Sequence, residues 1–323
     1  MNHYPSNVKE KLNSIILSMA EHHWLFSKNP GHDFTRQHLG KLSFYDTMRL
    51  IISMGKGSTN DEIMDYFNLD PDLIPSQSAF CQRRRQISLS AFEYLFSEFS
   101  SSFPSTTDKF KDHCILACDG CHVVYATNSD IIEDYNKPRL IDYKGYNHMH
   151  LNGFVDVISK AFLDVVIQPG QQPDEREALH SMLDHFTPDD PQKYIITADR
   201  GYESYDLLFH CELKNLGYVF RVKSPSSPKS ILSYYASEFP DDLEEFDVTI
   251  KRFFTDKATN IMKSQSDVYR YINPSKNTPH FYELLRKKHS HLYFLQFRVV
   301  KIKTAGISKT GNLFPPDSVQ FRH

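Results

Sequence analysis

The chain has 323 residues, 40% apolar, 24% charged and 13% aromatic, with a formal net charge of −3. That length allows about two domains with a sizeable core, and 24 Phe with 18 Tyr exclude a disordered chain. The slightly acidic balance excludes a protein held on nucleic acid by its overall field, so any such role needs local basic patches.

The polar start Met1-Asn2-His3-Tyr4-Pro5-Ser6 leads into no apolar run of signal length. No stretch approaches the roughly 20 apolar residues of a membrane span. The expectation is a cytoplasmic chain with no membrane partner. Five cysteines, three of them at Cys114, Cys118 and Cys121, do not form a secreted disulfide framework.

Residues 7–27 predict a helix, with Val8, Leu12, Ile15, Ile16 and Met19 at helical spacing. Phe44 to Met54 predicts a second, stopped by Gly55-Lys56-Gly57. Thr59-Asn60-Asp61-Glu62 reads as a capping box for a third. Pro75-Ser76-Gln77-Ser78 opens a helix carrying Arg83, Arg84 and Arg85, and Ser88-Leu89-Ser90 opens one more. Residues 1–108 therefore predict an all-helical domain, closed by the linker Ser100 to Thr107. Strand and helix then alternate: strands at 114–125, 150–157, 162–168, 193–198 and 218–222, and helices at 174–186 and 203–216, the latter with Gly217 as its C′ residue. Residues 109–223 predict a mixed α/β sheet. Residues 224–303 predict a β-rich segment with strands at 246–250 and 295–302, and 304–323 an irregular tail.

Two of these strands deliver an aspartate. Ile115-Leu116-Ala117-Cys118 leads to Asp119, and Ile195-Ile196-Thr197-Ala198 leads to Asp199. A carboxylate at a buried strand needs a partner or a cation. Two of them point to an oxygen-lined site for a divalent ion such as Mg²⁺ or Mn²⁺. The alternative is that each aspartate merely ends its strand.

Asp119-Gly120, Lys144-Gly145-Tyr146-Asn147, Gln168-Pro169-Gly170 and Ala198-Asp199-Arg200-Gly201-Tyr202-Glu203 resemble the IS4-type transposases of bacterial insertion sequences. Ser78 to Arg85 and Phe297-Arg298-Val299-Val300-Lys301 are also similar to that family. The resemblance runs to about residue 303. It implies a DDE enzyme with a ribonuclease-H-like α/β core, an N-terminal helical domain and a β-rich insertion. It further implies that Asp119 and Asp199 are catalytic metal ligands, and that the partners are transposon terminal inverted repeats and target DNA, met by a homodimer at the bacterial nucleoid. The family's third carboxylate is a glutamate in the pattern Y-x2-R-x3-E-x6-K. No late tyrosine here, from Tyr269 to Tyr293, has Arg three residues on. The expectation is a chain cut short or frame-shifted near residue 304, with little strand transfer. Glu203 is a conceivable substitute. A non-catalytic DNA-binding remnant is the alternative.

The basic candidates for DNA contact are Arg83, Arg84 and Arg85 with Arg49 and Lys56, then Lys137, Arg139, Lys144, Arg200, Arg221 and Lys223, plus the aromatic Tyr202. Solvated surface is the alternative for each, and packing under the sheet for Tyr202. Cys114-x3-Cys118-x2-Cys121 also has the spacing of a radical-SAM iron–sulfur triad, against buried free thiols. His148 and His150 are a further metal candidate, against ordinary core histidines.

Overall fold

The computed structural model describes residues 4–35, 41–102, 109–138, 144–240, 245–273, 278–302 and 319–322. Two compact units divide the chain, Met1–Pro104 and Ser105–His323.

The first unit is helical. α1 (Tyr4–Glu21) buries Ile15, Ile16 and Met19. It stops short of the predicted end because the chain tightens to i→i+3 bonds, Leu25 N–H to His22 O at 3.0 Å among them. The short 3₁₀ turn His23–Phe26 then delivers Phe26 to the core. α2 (Phe44–Ser53) starts on a full capping box of Ser43 and Asp46. Arg49 reaches Asn13 Oδ1 at 2.6 Å and so ties α2 to α1. α3 (Thr59–Tyr66) is capped one residue earlier than predicted. Ser58 Oγ accepts the Asp61 N–H at 3.2 Å, while Glu62 reaches back to the Gly57 N–H at 2.8 Å. α4 (Gln77–Gln86) starts at Ser76, and α5 (Leu89–Ser101) follows. Phe34, Phe44, Met48, Ile87 and Leu95 close the main core against α1.

The second unit is a mixed α/β structure on one ten-stranded sheet. Its elements are β1 (Cys114–Tyr125), β2 (Tyr135–Asn136), β3 (Tyr146–Asp156), β4 (Phe162–Pro169), α6 (Glu175–His185), β5 (Tyr194–Ala198), α7 (Tyr205–Leu213) and β6 (Gly217–Val222). After them come β7 (Phe246–Thr255), α8 (Asn260–Ser264), β8 (Tyr269–Tyr271), α9 (Pro279–Lys287), β9 (Leu292–Lys301) and β10 (Val319–Arg322). The order across the sheet is β2-β3-β1-β5-β6-β10-β9-β7-β8, with β4 paired to β3. β1 pairs antiparallel with β3 and parallel with β5, and β5 runs parallel to β6.

Alternation decides which face is covered. Cys114, Leu116 and Cys118 of β1, Ile196 and Ala198 of β5, and Tyr218, Phe220 and Val222 of β6 are buried. α6 covers them with Leu179, Met182 and Leu183, and α7 with Leu207, Leu208 and Cys211. Each such side chain contributes about 1.5–3 kcal/mol of burial.

Gly217 is not the C′ residue of α7. Asn215 takes the left-handed conformation there (φ 54°), and Gly217 opens β6. A β-carbon at Gly217 would stand 3.2 Å from Tyr194 O, so the strands approach because it has none.

In the predicted β-rich segment, β7 and β9 pair antiparallel over ten residues, longer than the apolar runs suggested. The stretch between them holds α8, β8 and the amphipathic α9, which buries Phe281, Leu284 and Leu285. β10 lies within the stretch expected to be irregular and bridges β6 to β9. Residues 303–318, where the break was expected, lie outside the described residues, as does Arg139. No described helix is long and apolar enough to cross a membrane.

Candidate metal centre

β1 and β5 pair Cys118 with Ala198 in parallel register. Asp119 and Asp199 are the next residues along, so two carboxylates far apart in sequence come side by side above a buried core. Both are exposed. Asp199 ends β5 and caps the 3₁₀ turn Arg200–Tyr202, its Oδ1 accepting the Gly201 N–H at 2.7 Å. Asp119 Oδ1 lies 2.9 Å from the Gly120 N–H.

A third carboxylate, which the sequence did not mark, stands beside Asp199 and over Gly120, on the face of β1 opposite to the one that alternation gives Asp119. Glu175 is the first residue of α6. A β-carbon on Gly120 would stand 3.0 Å from Glu175 Oε1, and one on Gly201 would stand 2.5 Å from Glu175 Oε2. The carboxylate of Glu175 therefore lies over the glycines that follow both aspartates. α6 is fixed for this at its N-terminus. Gln168 of β4 exchanges two hydrogen bonds with the Asp174 backbone, at 2.9 and 3.1 Å. Arg176 Nε donates to Gly201 O at 3.3 Å.

Two buried groups face the same space. Asn152 Oδ1 and both ring nitrogens of His150 lack a hydrogen-bond partner. His150 Nε2 is 3.4 Å from Glu175 Oε1, within ion-pair range but without hydrogen-bond geometry. Both residues close on Gly120, which a side chain could not occupy. Unpartnered buried polar atoms cost about 1–3 kcal/mol each and mark a place built for another group. Below them sits the Cys118 thiol, pushed up to about 12 first by burial and further by Asp119, Glu175 and Asp199.

These oxygens fit a hard divalent cation. No three carboxylates bring ligand atoms within 4.8 Å of one another among the described residues.

Glu203 stands apart. Its buried carboxylate accepts the Ile231 N–H at 2.6 Å, the Ser230 hydroxyl at 2.8 Å and the Lys223 N–H at 3.1 Å. Lys223 Nζ adds an ion pair at 3.3 Å. Glu203 is thus committed to holding the 223–231 loop and is not a substitute ligand. The cysteine triad is also dispersed. Cys114 and Cys118 lie about 13 Å apart along one extended strand, both buried, while Cys121 is exposed. The thiols do not converge on a cluster. His148 and His150 are buried in β3, with the ring of His122 4.7 Å from each of theirs.

Residues 110–291 match the sequence model of the family described as Transposase DDE domain, more than half of the chain. The chain belongs to this family of DDE transposase domains. A comparison with curated proteins finds no match. Among solved structures, the piggyBac transposase synaptic complex with hairpin DNA, determined by cryo-electron microscopy, is similar with a TM-score of 0.40 and 10% identity. That likeness covers 85% of this chain and 49% of the other, so the chain spans about half the length of the protein it matches.

Within this DDE transposase domain, Arg200 is half-buried beside Asp199, Arg221 is exposed on β6, and Lys144 is exposed ahead of β3. Lys137 is also exposed, while Lys223 is engaged by Glu203. Tyr202 is fully buried, its hydroxyl 3.4 Å from the Cys118 thiol. It packs under the sheet, which removes it from the DNA-contact candidates. In the helical unit Arg83 lies over the Phe34 ring at 5.1 Å and bonds Gln86, and Arg84 lies 5.8 Å from the Phe80 ring. Arg84 and Arg85 are exposed in the last turn of α4, where cations also complement the helix dipole.

Proposed function

We propose that this chain is a DDE transposase of IS4 type whose ribonuclease-H-like core binds Mg²⁺ or Mn²⁺ at Asp119 and Asp199 and acts on transposon ends and target DNA. The observation that carries this reading is the Cys118–Ala198 register, which sets the two aspartates on neighbouring parallel strands. Bound divalent ions would supply charge stabilisation for an in-line displacement at phosphorus. The chain's own residues bind and orient. Asp119 and Asp199 offer hard oxygens, and the Gly201 N–H fixes the rotamer of Asp199. Exposed Arg221 and Lys144, with Arg84 and Arg85 in the helical unit, offer cations to the DNA backbone. A homodimer at paired ends, acting in the cytoplasm at the nucleoid, belongs to the same reading.

With two aspartates alone, the centre would hold the ions weakly, and strand transfer would be slow. A second reading is favoured by Glu175, which brings a third carboxylate over Gly120 and Gly201. The experiment is incubation of the purified chain with DNA carrying the segments that flank its own gene, with Mg²⁺ and at two salt concentrations. Cleavage lost in Asp199→Ala and in Glu175→Ala supports the three-carboxylate centre. Salt-sensitive binding without cleavage supports a DNA-binding chain with an incomplete centre. The absence of both binding and cleavage overturns the transposase reading.

A further inference from the structure

A second group of metal-ligand side chains lies where α6, α7 and α9 meet. His180, His210 and His280 bring one ring nitrogen each to within 4.8 Å of one another, the only such group of three or more metal-ligand residues among the described residues. Their rings stack, with centroids 3.8 Å apart for His210 and His280 and 4.3 Å for His180 and His280. Side-chain exposure is 12% for His180, 2% for His210 and 14% for His280. Burial, before any neighbouring charge, pushes His180 down to about 4 and His210 down to about 3.

The second nitrogen of each ring decides the reading. His280 Nδ1 lies 2.6 Å from Asp206 Oδ2, which leaves Nε2 facing the group. His210 Nε2 lies 3.2 Å from Asp184 Oδ1, which leaves Nδ1. His180 Nε2 lies 3.6 Å from Asp206 Oδ2, and its Nδ1 is 2.9 Å from His210 Nδ1. Each imidazole thus has a carboxylate near one ring nitrogen, as metal-binding histidines do. The His180 and His210 Nδ1 atoms share a hydrogen bond at 2.9 Å, and His280 stacks on both rings. Two nitrogens on a tetrahedral zinc ion stand about 3.3 Å apart, so an ion would replace the proton of that hydrogen bond and turn the rings until their in-plane lone pairs converge.

Asp206 is fixed independently. It is buried, and its Oδ1 accepts the N–H groups of His280 and Phe281 at 3.1 Å each. It thereby caps α9 from α7, since the Thr278 side chain makes no capping bond there. His280 is held in place with or without an ion.

We propose that His180, His210 and His280, backed by Asp206 and Asp184, form a binding site for a late first-row divalent metal ion, Zn²⁺ by availability, which pins α9 to α6 and α7. Imidazole nitrogens favour such ions over Mg²⁺. The site uses none of Asp119, Glu175 and Asp199 and does not depend on the transposase reading.

The test uses the full chain, stripped with EDTA, dialysed and titrated with Co²⁺ and then Zn²⁺. The expected result is a single equivalent of Co²⁺ with the strong visible absorption of a four-coordinate ion, displaced by Zn²⁺ and not by excess Mg²⁺. The thermal midpoint rises as Zn²⁺ is added. The band persists in an Asp119→Ala/Asp199→Ala double variant, which separates this site from the aspartate centre, and disappears in His280→Gln. Asp184 is 63% exposed, so Asp184→Asn keeps the fold and weakens Zn²⁺ about 10-fold. A folded wild-type chain that gives no band overturns the proposal and leaves a packed stack of neutral rings. So does a band retained in folded His280→Gln. If His280→Gln does not fold, Asp184→Asn decides, and an unchanged affinity overturns the site.

Discussion

Glu175 and Glu203 flank the same aspartate, and their surroundings are opposite. Glu203 is 4% exposed and spends both oxygens on three donors and a lysine. The side chain of Glu175 is 34% exposed and, among the described residues, its one ion-pair partner is a histidine nitrogen at 3.4 Å. A carboxylate whose lone pairs are filled by its own chain is part of the scaffold. One that faces unpartnered buried groups is available to something else. Sequence proximity to Asp199 favours Glu203, and geometry favours Glu175.

That contrast can be broken or sharpened by measurement. The largest effect concerns Cys118, which sits under Glu175 and Asp199. With its thiol near 12, alkylation at pH 8 should run at least about 100-fold slower than at exposed Cys121. Mass spectrometry of a labelling time course reads this directly. Comparable rates would mean that the pocket is not closed beneath Glu175. Next, Glu203→Ala takes the acceptor from the Ile231 and Lys223 N–H groups, while the Ser230 hydroxyl keeps Lys223 O, and should cost about 2–4 kcal/mol in urea unfolding. A loss under about 1 kcal/mol would remove the distinction between the two glutamates. Glu175→Ala should weaken Mn²⁺ binding about 10-fold by calorimetry, or about 1.4 kcal/mol, while leaving the urea midpoint nearly unchanged. The reverse pattern would make Glu175 a structural residue. The smallest effect is at Lys223, whose side chain is 35% exposed. Lys223→Ala should cost about 0.5–1 kcal/mol, well below Glu203→Ala, because its backbone N–H still reaches Glu203.

The elements around the aspartates were legible because residues 115–118 of β1 and 195–198 of β5 are apolar runs too short for a helix. α2 and α4 were legible through serine caps and apolar spacing. α9 was missed although Phe281, Leu284 and Leu285 have helical spacing, because the run is only nine residues long, and Tyr269-Arg270-Tyr271 of β8 is too short to show a period. Tyr202 beside Asp199 gave no sign of its burial, because an aromatic after a strand serves a core or a surface equally well. Glu175 was hidden by its position. An acid in the first turn of a helix reads as a complement to the helix dipole, and only the fold shows it lying over Gly120 and Gly201. The three histidines have no ligand spacing in sequence and meet only through the packing of three helices.

The parallel pairing of β1 with β5 also governs when the centre can exist. Its two halves lie on strands separated by the β3–β4 hairpin and α6, so the intervening loop must close before any ligand pair forms. Contacts of such long sequence separation form slowly. During synthesis, the ribosome must release the chain past Asp199 before a cation can be captured. A cation bound only to the closed form would stabilise it further as its concentration rises, so occupancy of the proposed centre would double as a reporter of completed folding.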